Sequence, residues 1–143
     1  MANFETKDSG RREEYASGMR RDTQEGKARF DLLWPEGVPY GEQFLTRFAE
    51  LMARGAEKYG DRNWEQANSQ VELDRFKASA ARHFAQWVAG ERDEDHAAAV
   101  AFNLMAYETV RWRLASNETS RTICTPSERQ DISQQIADKA LHR

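Results

Sequence analysis

The stretch GERDEDHAAAVAFN, residues 90–103, crowds acidic side chains next to a histidine. The acids occupy four of five consecutive positions, and they are Glu91, Asp93, Glu94 and Asp95. Like charges this close repel one another, so a cation among them would lower the energy of the cluster. Carboxylate oxygens suit Mg²⁺ or Mn²⁺, and such an ion bridges phosphate oxygens and helps to deprotonate an attacking water. The cluster therefore predicts a divalent-metal site that acts on phosphates.

Imidazole and amide side chains fall at helical spacing around this cluster. His96 and Asn103 lie seven residues apart, and hence on one face of a helix. A preceding antiparallel helix that turns at Gly90 would place His83 beside them. The two rows together would present carboxylates, imidazoles and an amide on one surface.

A purely structural explanation competes with the metal site. Acidic residues in the first turn of a helix cap it and interact favourably with its macrodipole. For the three acids at positions 93–95 taken alone, capping is the favoured explanation. For His83, a packed imidazole with one satisfied nitrogen is as common as a site role, and the corresponding alternative for His96 is a partly exposed helical position.

The segment EKYGDRNWE, residues 57–65, carries side chains that suit a nucleotide. Lys58 can contact a phosphate, Trp64 can stack on a base, and Asn63 can bind a base edge. The structural alternatives are a turn cap for Asn63 and a core position at a helix corner for Trp64.

Composition and motifs exclude several other classes of protein. The chain has 143 residues and a net charge of −3, so no basic face is evident for duplex nucleic acid. Cys124 is the single cysteine, which excludes a disulfide framework or a cysteine-based zinc site and fits a reducing cytoplasm. Neither a signal peptide nor an apolar run of about 18 residues is found, so we expect no membrane association. P-loop, dinucleotide-binding and nucleophile-elbow motifs are also missing.

Apolar spacing predicts three core helices and an all-α fold. With their caps, the helices are expected at about residues 40–59, 69–90 and 93–115. The second begins at a capping box formed by Ser69 and Glu72. The predicted inner faces are Leu73, Phe76, Ala80, Phe84, Trp87 and Val88 on the second helix, and Ala97, Val100, Leu104, Tyr107 and Leu114 on the third.

The flanking segments complete the expected organisation. Residues 28–39 combine apolar anchors with Pro35, Gly37 and Pro39, which predicts an extended segment laid over the helical body. The predicted limits are residues 1–28 for an N-terminal arm, 29–116 for the domain, and 117–143 for a tail with a short amphipathic helix. Three core helices bury limited surface, so a homodimer or homotetramer is expected rather than a compact monomer.

Four segments of the chain resemble a known family. They are RRDTQEGKARFDLL (20–33), ARGAEKYGDRNWE (53–65), ARHFAQWVAGE (81–91) and DEDHAAAVAFNL (93–104). Together they resemble a phage and prophage family of dATP/dGTP diphosphohydrolases, which is related to the all-α, MazG-like nucleoside triphosphate pyrophosphohydrolases. The resemblance covers roughly residues 18–110.

The resemblance implies a fold and an activity. The fold is a MazG-like helical bundle, commonly assembled as a dimer or a dimer of dimers. The substrate is a nucleoside triphosphate, which a divalent metal ion and water cleave between the α- and β-phosphates to give a monophosphate and pyrophosphate. Some phage members act on dGTP or GTP, and the dGMP they form feeds the synthesis of 2-aminoadenine nucleotides.

The wider superfamily carries its metal on E-x-x-E followed by E-x-x-D, and this pair of motifs is missing here. The resemblance therefore implies an unusual metal shell, shared by Glu57, His83, Glu91, Asp95 and His96. The expected catalytic carboxylates are Glu57, Glu91 and Asp95. The implied substrate contacts are Lys58 and Arg82 for phosphates, Asn63, Trp64 and Asn103 for the nucleoside, and Asp31 for closure over the base in a neighbouring subunit's site.

Two other functions fit parts of the sequence. An HD-type phosphohydrolase needs an adjacent His-Asp pair and further histidines, whereas the chain has three histidines and only the dipeptide Asp95-His96. A non-catalytic helical protein with an interaction or regulatory role in a phage would account for the missing acidic motifs.

Overall fold

A computed structural model describes residues 6–8 and 10–123 of the chain. The chain divides into two compact units, residues 1–36 and 37–143. The first unit contains an antiparallel hairpin of β1 (Arg12–Glu14) and β2 (Arg20–Asp22). Each of its three cross-strand pairs joins an arginine to a carboxylate, and opposite charges across a ladder stabilise its register. The sequence predicted no strand here because strands made only of charged residues have no apolar face to detect.

The segment predicted to be extended contains a 3-10 helix, Phe30–Leu33, in the first unit. That prediction is wrong for these residues, because Pro35 restricts only the residue before it and leaves the preceding ones free to turn. Trp34, the residue before Pro35, has the extended backbone that proline requires, with φ −104° and ψ 104°. The apolar side chains of the segment are more than half exposed, and they are Phe30, Leu32, Leu33 and Trp34.

Helix α1 (Phe44–Tyr59) is the first helix of the second unit. It begins about four residues later than the sequence predicts, because Gln43 is extended, with φ −64° and ψ 136°, and separates it from a 3-10 turn at Tyr40–Glu42. Its end agrees with the prediction: Gly60 has φ 94°, which side-chain-bearing residues rarely adopt. The following loop contains a second 3-10 turn, Asn63–Gln66.

Helix α2 (Gln70–Ala89) has the cap residues that its sequence predicts. At its start, Glu72 Oε2 accepts hydrogen bonds from the Ser69 hydroxyl at 2.8 Å and from the Asn68 N–H at 2.7 Å. At its end, Gly90 adopts the left-handed conformation with φ 80°, and its N–H donates to carbonyls of the last turn. Ser69 is the predicted N-cap residue, but its side chain accepts no backbone N–H, so the reciprocal capping box is not formed and Glu72 alone caps the start of α2.

Helix α3 (His96–Ile123) begins where the sequence predicts but continues well past Ala115. The predicted end was wrong because residues 116–123 contain neither glycine nor proline, and polar residues do not by themselves end a helix. The tail helix predicted after Thr125 lies outside the described residues. In the described part of the chain, none of the helices is both long and apolar enough to span a bilayer.

The core of the second unit lies between α3 and its two neighbours, α1 and α2. The fold is helical apart from the small hairpin, so the all-α prediction is confirmed for the described residues. The buried apolar residues are Leu73, Ala98, Ala99, Ala106 and Val110, and the buried polar ones are Thr46, His83, His96 and Asn103. Because most of the core residues of α3 are small, its neighbours can approach it closely.

The predicted inner faces are partly wrong. On α3 the buried stripe follows His96, Ala99 and Asn103, so the helix is rotated by about one residue from its most apolar face, and Leu104 is 55% exposed. On α2 burial stops at His83, and the aromatic residues that follow, Phe84 and Trp87, are about half exposed. Helix packing here buries small and polar side chains in preference to large apolar ones.

One ion pair ties α1 to the start of α3. Arg47 donates two hydrogen bonds to Asp95, from Nε at 2.7 Å and from Nη2 at 2.8 Å. Asp95 also caps α3, because its Oδ1 accepts the N–H of Ala98 at 3.1 Å. These bonds, chiefly those from Arg47, lower the pKa of Asp95. A carboxyl whose pKa is lowered by folding stabilises the fold above its unfolded-state pKa, and that contribution is lost as the pH falls through the folded-state value.

We predict that Asp95→Asn lowers the free energy of unfolding by about 1–2 kcal/mol at pH 7, because asparagine keeps the cap but loses the charged pair with Arg47. Below about pH 4, the usual carboxyl pKa, the difference from the parent should shrink. Urea unfolding followed by circular dichroism at both pH values measures this. The control is Glu108→Gln, which breaks the exposed pair with Arg111 and should cost less than about 0.5 kcal/mol. Equal effects of the two substitutions would contradict the prediction.

Candidate functional site

Two buried histidines meet between α2 and α3. His83 lies near the end of α2 and His96 opens α3, and the antiparallel helices bring their Nδ1 atoms to 2.9 Å. The two residues are 8% and 2% exposed. Sequence spacing predicted that these imidazoles would face each other, and the structure places them in direct contact.

The contacts of the two Nε2 atoms show which nitrogen of each imidazole carries the proton. Nη2 of Arg82 lies 3.2 Å from Nε2 of His83, and a guanidinium can only donate, so this Nε2 is unprotonated. The neutral His83 therefore carries its proton on Nδ1 and donates it to Nδ1 of His96. His96 in turn carries its proton on Nε2, which donates to Oδ1 of Asp93 at 2.8 Å. A single directed chain runs from Arg82 through both imidazoles to Asp93.

The same environment favours the neutral form of His83. Burial lowers the pKa of His83, and the positive charge of Arg82 lowers it further. The hydrogen bond from His96 lowers the pKa of Asp93, which keeps that carboxylate ionised as an acceptor. The site thus combines the neutral imidazole of His83 with the ionised carboxylate of Asp93 at neutral pH.

Two overlapping groups in the described chain have the donors for a metal ion. One is His83, Glu94 and His96, and the other is Glu91, Asp93 and His96. Within each group, one ligand atom per residue lies within 4.8 Å of the others. Glu94 reaches toward the buried pair, with Oε2 at 3.9 Å from Nδ1 of His83. His96 belongs to both groups, so its imidazole is the centre of the cluster.

Three of the five predicted metal ligands belong to these groups: His83 to the first, Glu91 to the second, and His96 to both. Asp95 lies outside both groups, because its carboxylate binds Arg47 and caps α3. Glu57 is exposed on α1 and is also outside them, as far as the described residues extend.

Asp93 and Glu94 complete the two groups, although sequence reasoning assigned them to capping. Their position in the acidic run indicated a metal site. The sequence could not predict the loop geometry that turns them away from Asp95.

A cavity of about 940 Å³ opens between α1, the Asn63–Gln66 turn, α2 and α3. Trp64 meets the ring of Phe102 edge-on at 6.1 Å, and Phe102 meets Phe76 edge-on at 6.3 Å. These three aromatic side chains give the cavity an apolar wall. Asn63 and Arg75 add polar groups, and in the described chain Arg75 makes no ion pair. The cavity has the size and mixed lining of a small-ligand site.

The predicted substrate-binding residues fall in different places. Asn63 and Trp64 line the cavity. The other four do not line it. Lys58 lies over the ring of Tyr59, and Arg82 contacts His83. Asn103 donates to the Ala99 carbonyl in the core, and Asp31 pairs with Arg29 in the first unit. Arg75 and Arg62 are cationic residues of the cavity lining that the sequence did not single out, and Arg62 pairs with Glu65. The place of Arg75 on α2, one turn from Glu72, gave no chemical signal.

The second unit is thus an all-α domain with a ligand-sized cavity and a histidine–carboxylate cluster on one helix pair. A family model described as dATP/dGTP diphosphohydrolase, N-terminal, matches residues 17–120. The chain belongs to this family, which confirms the resemblance in its sequence. Searches of curated proteins and of solved structures gave no significant match.

We predict that His83 is the Nδ1–H tautomer and His96 the Nε2–H tautomer at pH 7, which long-range ¹H–¹⁵N spectra report directly. Arg82→Ala should raise the pKa of His83 by removing the adjacent positive charge, and the titration should shift upward. Because folding lowers the pKa of His83, stability should fall as the pH drops below about 6.5, the unfolded-state value, until the pH passes the lower folded-state pKa.

The matched control is Arg111→Ala, which removes the same charge from an exposed position on α3 and should leave the His83 titration unchanged. Opposite tautomers, or a downward shift in Arg82→Ala, would contradict the assignment.

Proposed function

We propose that the chain is a metal-dependent nucleoside triphosphate diphosphohydrolase that converts dGTP or GTP to the monophosphate and pyrophosphate. The observation that carries the proposal is the family match over residues 17–120, since the family is described as dATP/dGTP diphosphohydrolase, N-terminal. The cavity and the histidine–carboxylate cluster support it, because the reaction needs a place for a nucleoside and a place for charged phosphates.

In this proposal the cavity holds the nucleoside. Trp64 and Phe102 offer aromatic surface to a purine, and base–aromatic stacking is worth about 1–3 kcal/mol. Asn63 supplies an amide that can both donate and accept at a base edge. The cationic group of Arg75 lines the same cavity and is free to contact a phosphate.

The phosphates would extend from the cavity toward the cluster. Phe76 and His83 are seven residues apart on α2, which is about 10 Å along the helix axis. His96 and Phe102 are six apart on α3, or about 9 Å. Both helices therefore place the cluster a similar distance from the aromatic wall, a separation of the order of a nucleotide's length. Arg82 adds a positive charge at the cluster end.

The cluster fits a divalent cation, which we propose is Mg²⁺ or Mn²⁺. Within each of the two groups the donors lie within 4.8 Å of one another, and either Glu94 with both histidines or Glu91 and Asp93 with His96 would supply them. When bound, the ion would neutralise phosphate oxygens and help a water lose its proton for attack at the α-phosphorus. Asp93 holds the imidazole of His96 in a fixed orientation, and burial by α2 and α3 excludes water from its inner side.

The dGMP formed would feed the synthesis of 2-aminoadenine nucleotides for modified phage DNA.

We also propose that the protein acts as a homodimer or homotetramer. The support is the set of large apolar side chains exposed on the helices, which are Phe84, Trp87, Val88, Leu104 and Trp112. Sedimentation at the mass of a single chain would contradict the assembly.

A non-catalytic interaction protein is the second candidate. The exposed aromatic residues favour it, because contiguous apolar surface on a helix often marks a protein contact. The placement of Asp95 is also compatible with it, since a carboxylate that caps a helix and binds Arg47 is occupied structurally.

The proposal predicts that the protein, incubated with Mg²⁺ or Mn²⁺, converts dGTP or GTP to the monophosphate and pyrophosphate, because attack is at the α-phosphorus. Chromatography of the products from each nucleoside triphosphate, with and without a chelator, measures this. Release of orthophosphate would reject the cleavage position. An absence of turnover with every nucleotide and both metals would favour the interaction protein.

We predict that Trp64→Leu raises the KM for the nucleotide about tenfold or more, because it removes a stacking surface worth about 1–3 kcal/mol. Steady-state kinetics measure the change, and circular dichroism verifies that the helices remain. The control is Trp112→Leu, which removes a tryptophan that is 67% exposed on α3 and outside the cavity lining. An unchanged KM in a folded Trp64→Leu protein would contradict the placement of the base.

A further inference from the structure

We infer that His83, Glu94 and His96 form a site for a first-row transition ion such as Mn²⁺ or Zn²⁺, and that Asp93 orients it without binding the ion. This inference deepens the proposed function, because it names the ligands and the kind of ion at the same cluster. It separates Mn²⁺ from Mg²⁺, the two ions between which acidic residues alone do not discriminate.

The donor atoms decide the class of ion. Two of the three side chains are imidazoles, and they are 8% and 2% exposed, so the cluster is not a solvated group of acids. Mg²⁺ prefers oxygen ligands and keeps several waters, whereas imidazole nitrogen suits Mn²⁺, Fe²⁺, Co²⁺ and Zn²⁺. A pair of buried imidazoles therefore favours transition ions over Mg²⁺.

The spacing of the two nitrogens also fits one shared ion. Ligands about 2.1 Å from a metal and at right angles to each other are about 3.0 Å apart. The two Nδ1 atoms are already 2.9 Å apart, so they could bind one ion once the rings rotate to direct both lone pairs at a common point. At present a single proton on His83 lies between them. Binding would require that proton to move to Nε2 of His83, once the exposed Arg82 side chain moves away.

The contact with Asp93 leaves Nδ1 of His96, rather than Nε2, available to a metal ion. It accepts the proton of His96 Nε2 at 2.8 Å, which leaves the lone pair of Nδ1 directed at His83 and Glu94. A carboxylate on the far nitrogen of a histidine is the usual support for a metal ligand, since it fixes the tautomer and raises basicity. The alternative group would break this bond, and its Glu91 is already held by Gln86 at 2.8 Å.

Glu94 is the ligand of this site that solvent reaches most easily. Its side chain is 63% exposed, while that of His83 is 10% exposed. An ion can therefore reach the carboxylate from solvent before it meets the nitrogens. One protein carboxylate and two imidazoles leave the remaining ligand positions of a transition ion for water or phosphate oxygen, as hydrolytic sites require.

The test measures metal binding to the full chain without nucleotide. We expect titration calorimetry to show Zn²⁺ and Mn²⁺ binding, with Zn²⁺ about 100-fold or more tighter than Mg²⁺. His83→Gln and Glu94→Gln should each weaken Zn²⁺ binding about tenfold or more, and Asp93→Asn about 10–100-fold. Pulsed EPR of the Mn²⁺ complex should show imidazole nitrogen, and the signal should weaken in His83→Gln.

The matched control is Glu108→Gln, which makes the same charge change on α3 away from both groups and should leave the affinity unchanged. Circular dichroism confirms that each variant is folded. Equal affinities for Zn²⁺ and Mg²⁺ would overturn the inference. So would Mn²⁺ binding without nitrogen coupling, or a loss of affinity in Glu91→Gln but not in Glu94→Gln.

Failure of this site is distinguishable from failure of the proposed function. A chain that binds Zn²⁺ through His83 and Glu94 but hydrolyses no nucleotide overturns the function and leaves the site. A chain that hydrolyses dGTP with Mg²⁺, and binds metal equally well in His83→Gln, overturns the site alone.

Discussion

The hydrogen bond between the two buried imidazoles is the interaction on which the rest of this domain depends. It joins the last turns of α2 to the first turn of α3, and it exists only while one of the facing Nδ1 atoms lacks a proton. Arg82 and Asp93 satisfy that condition from either side. Without either of them, two polar rings would be buried with an unpaired nitrogen, which costs about 1–3 kcal/mol per group.

The crowded carboxylates before α3 contact different groups of the protein. Asp95 binds a guanidinium and caps the helix, and Asp93 accepts from an imidazole. Glu91 is held by an amide, while Glu94 extends from the surface beside His83. Part of the repulsion is therefore relieved by the fold itself, and the remaining negative charge is concentrated where a cation could be held.

The cavity and the cluster share one helix pair, which has a consequence for function. Phe76 and His83 are on α2, and Phe102 and His96 are on α3, so a shift between these helices would alter both places together. The small residues of α3 let the helices pack closely, and such packing resists sliding. A rigid pair of helices would keep a nucleoside and its phosphates in a fixed relation, as catalysis by positioning requires.

The sequence by itself determined the helical class, both ends of α2 and the face that His96 shares with Asn103. These follow from local rules: the N-cap residue Ser69 followed by Glu72, the glycine stop at Gly90 and the helical period. Only the tertiary structure decided which carboxylate caps α3 and which ones face the histidines, because these contacts depend on a loop whose sequence has no periodicity. It also decided the rotation of α3, where close helix approach buries alanine and polar side chains and leaves Leu104 in solvent. Arg47 illustrates the same limit, since its partner lies 48 residues away and no local pattern joins them.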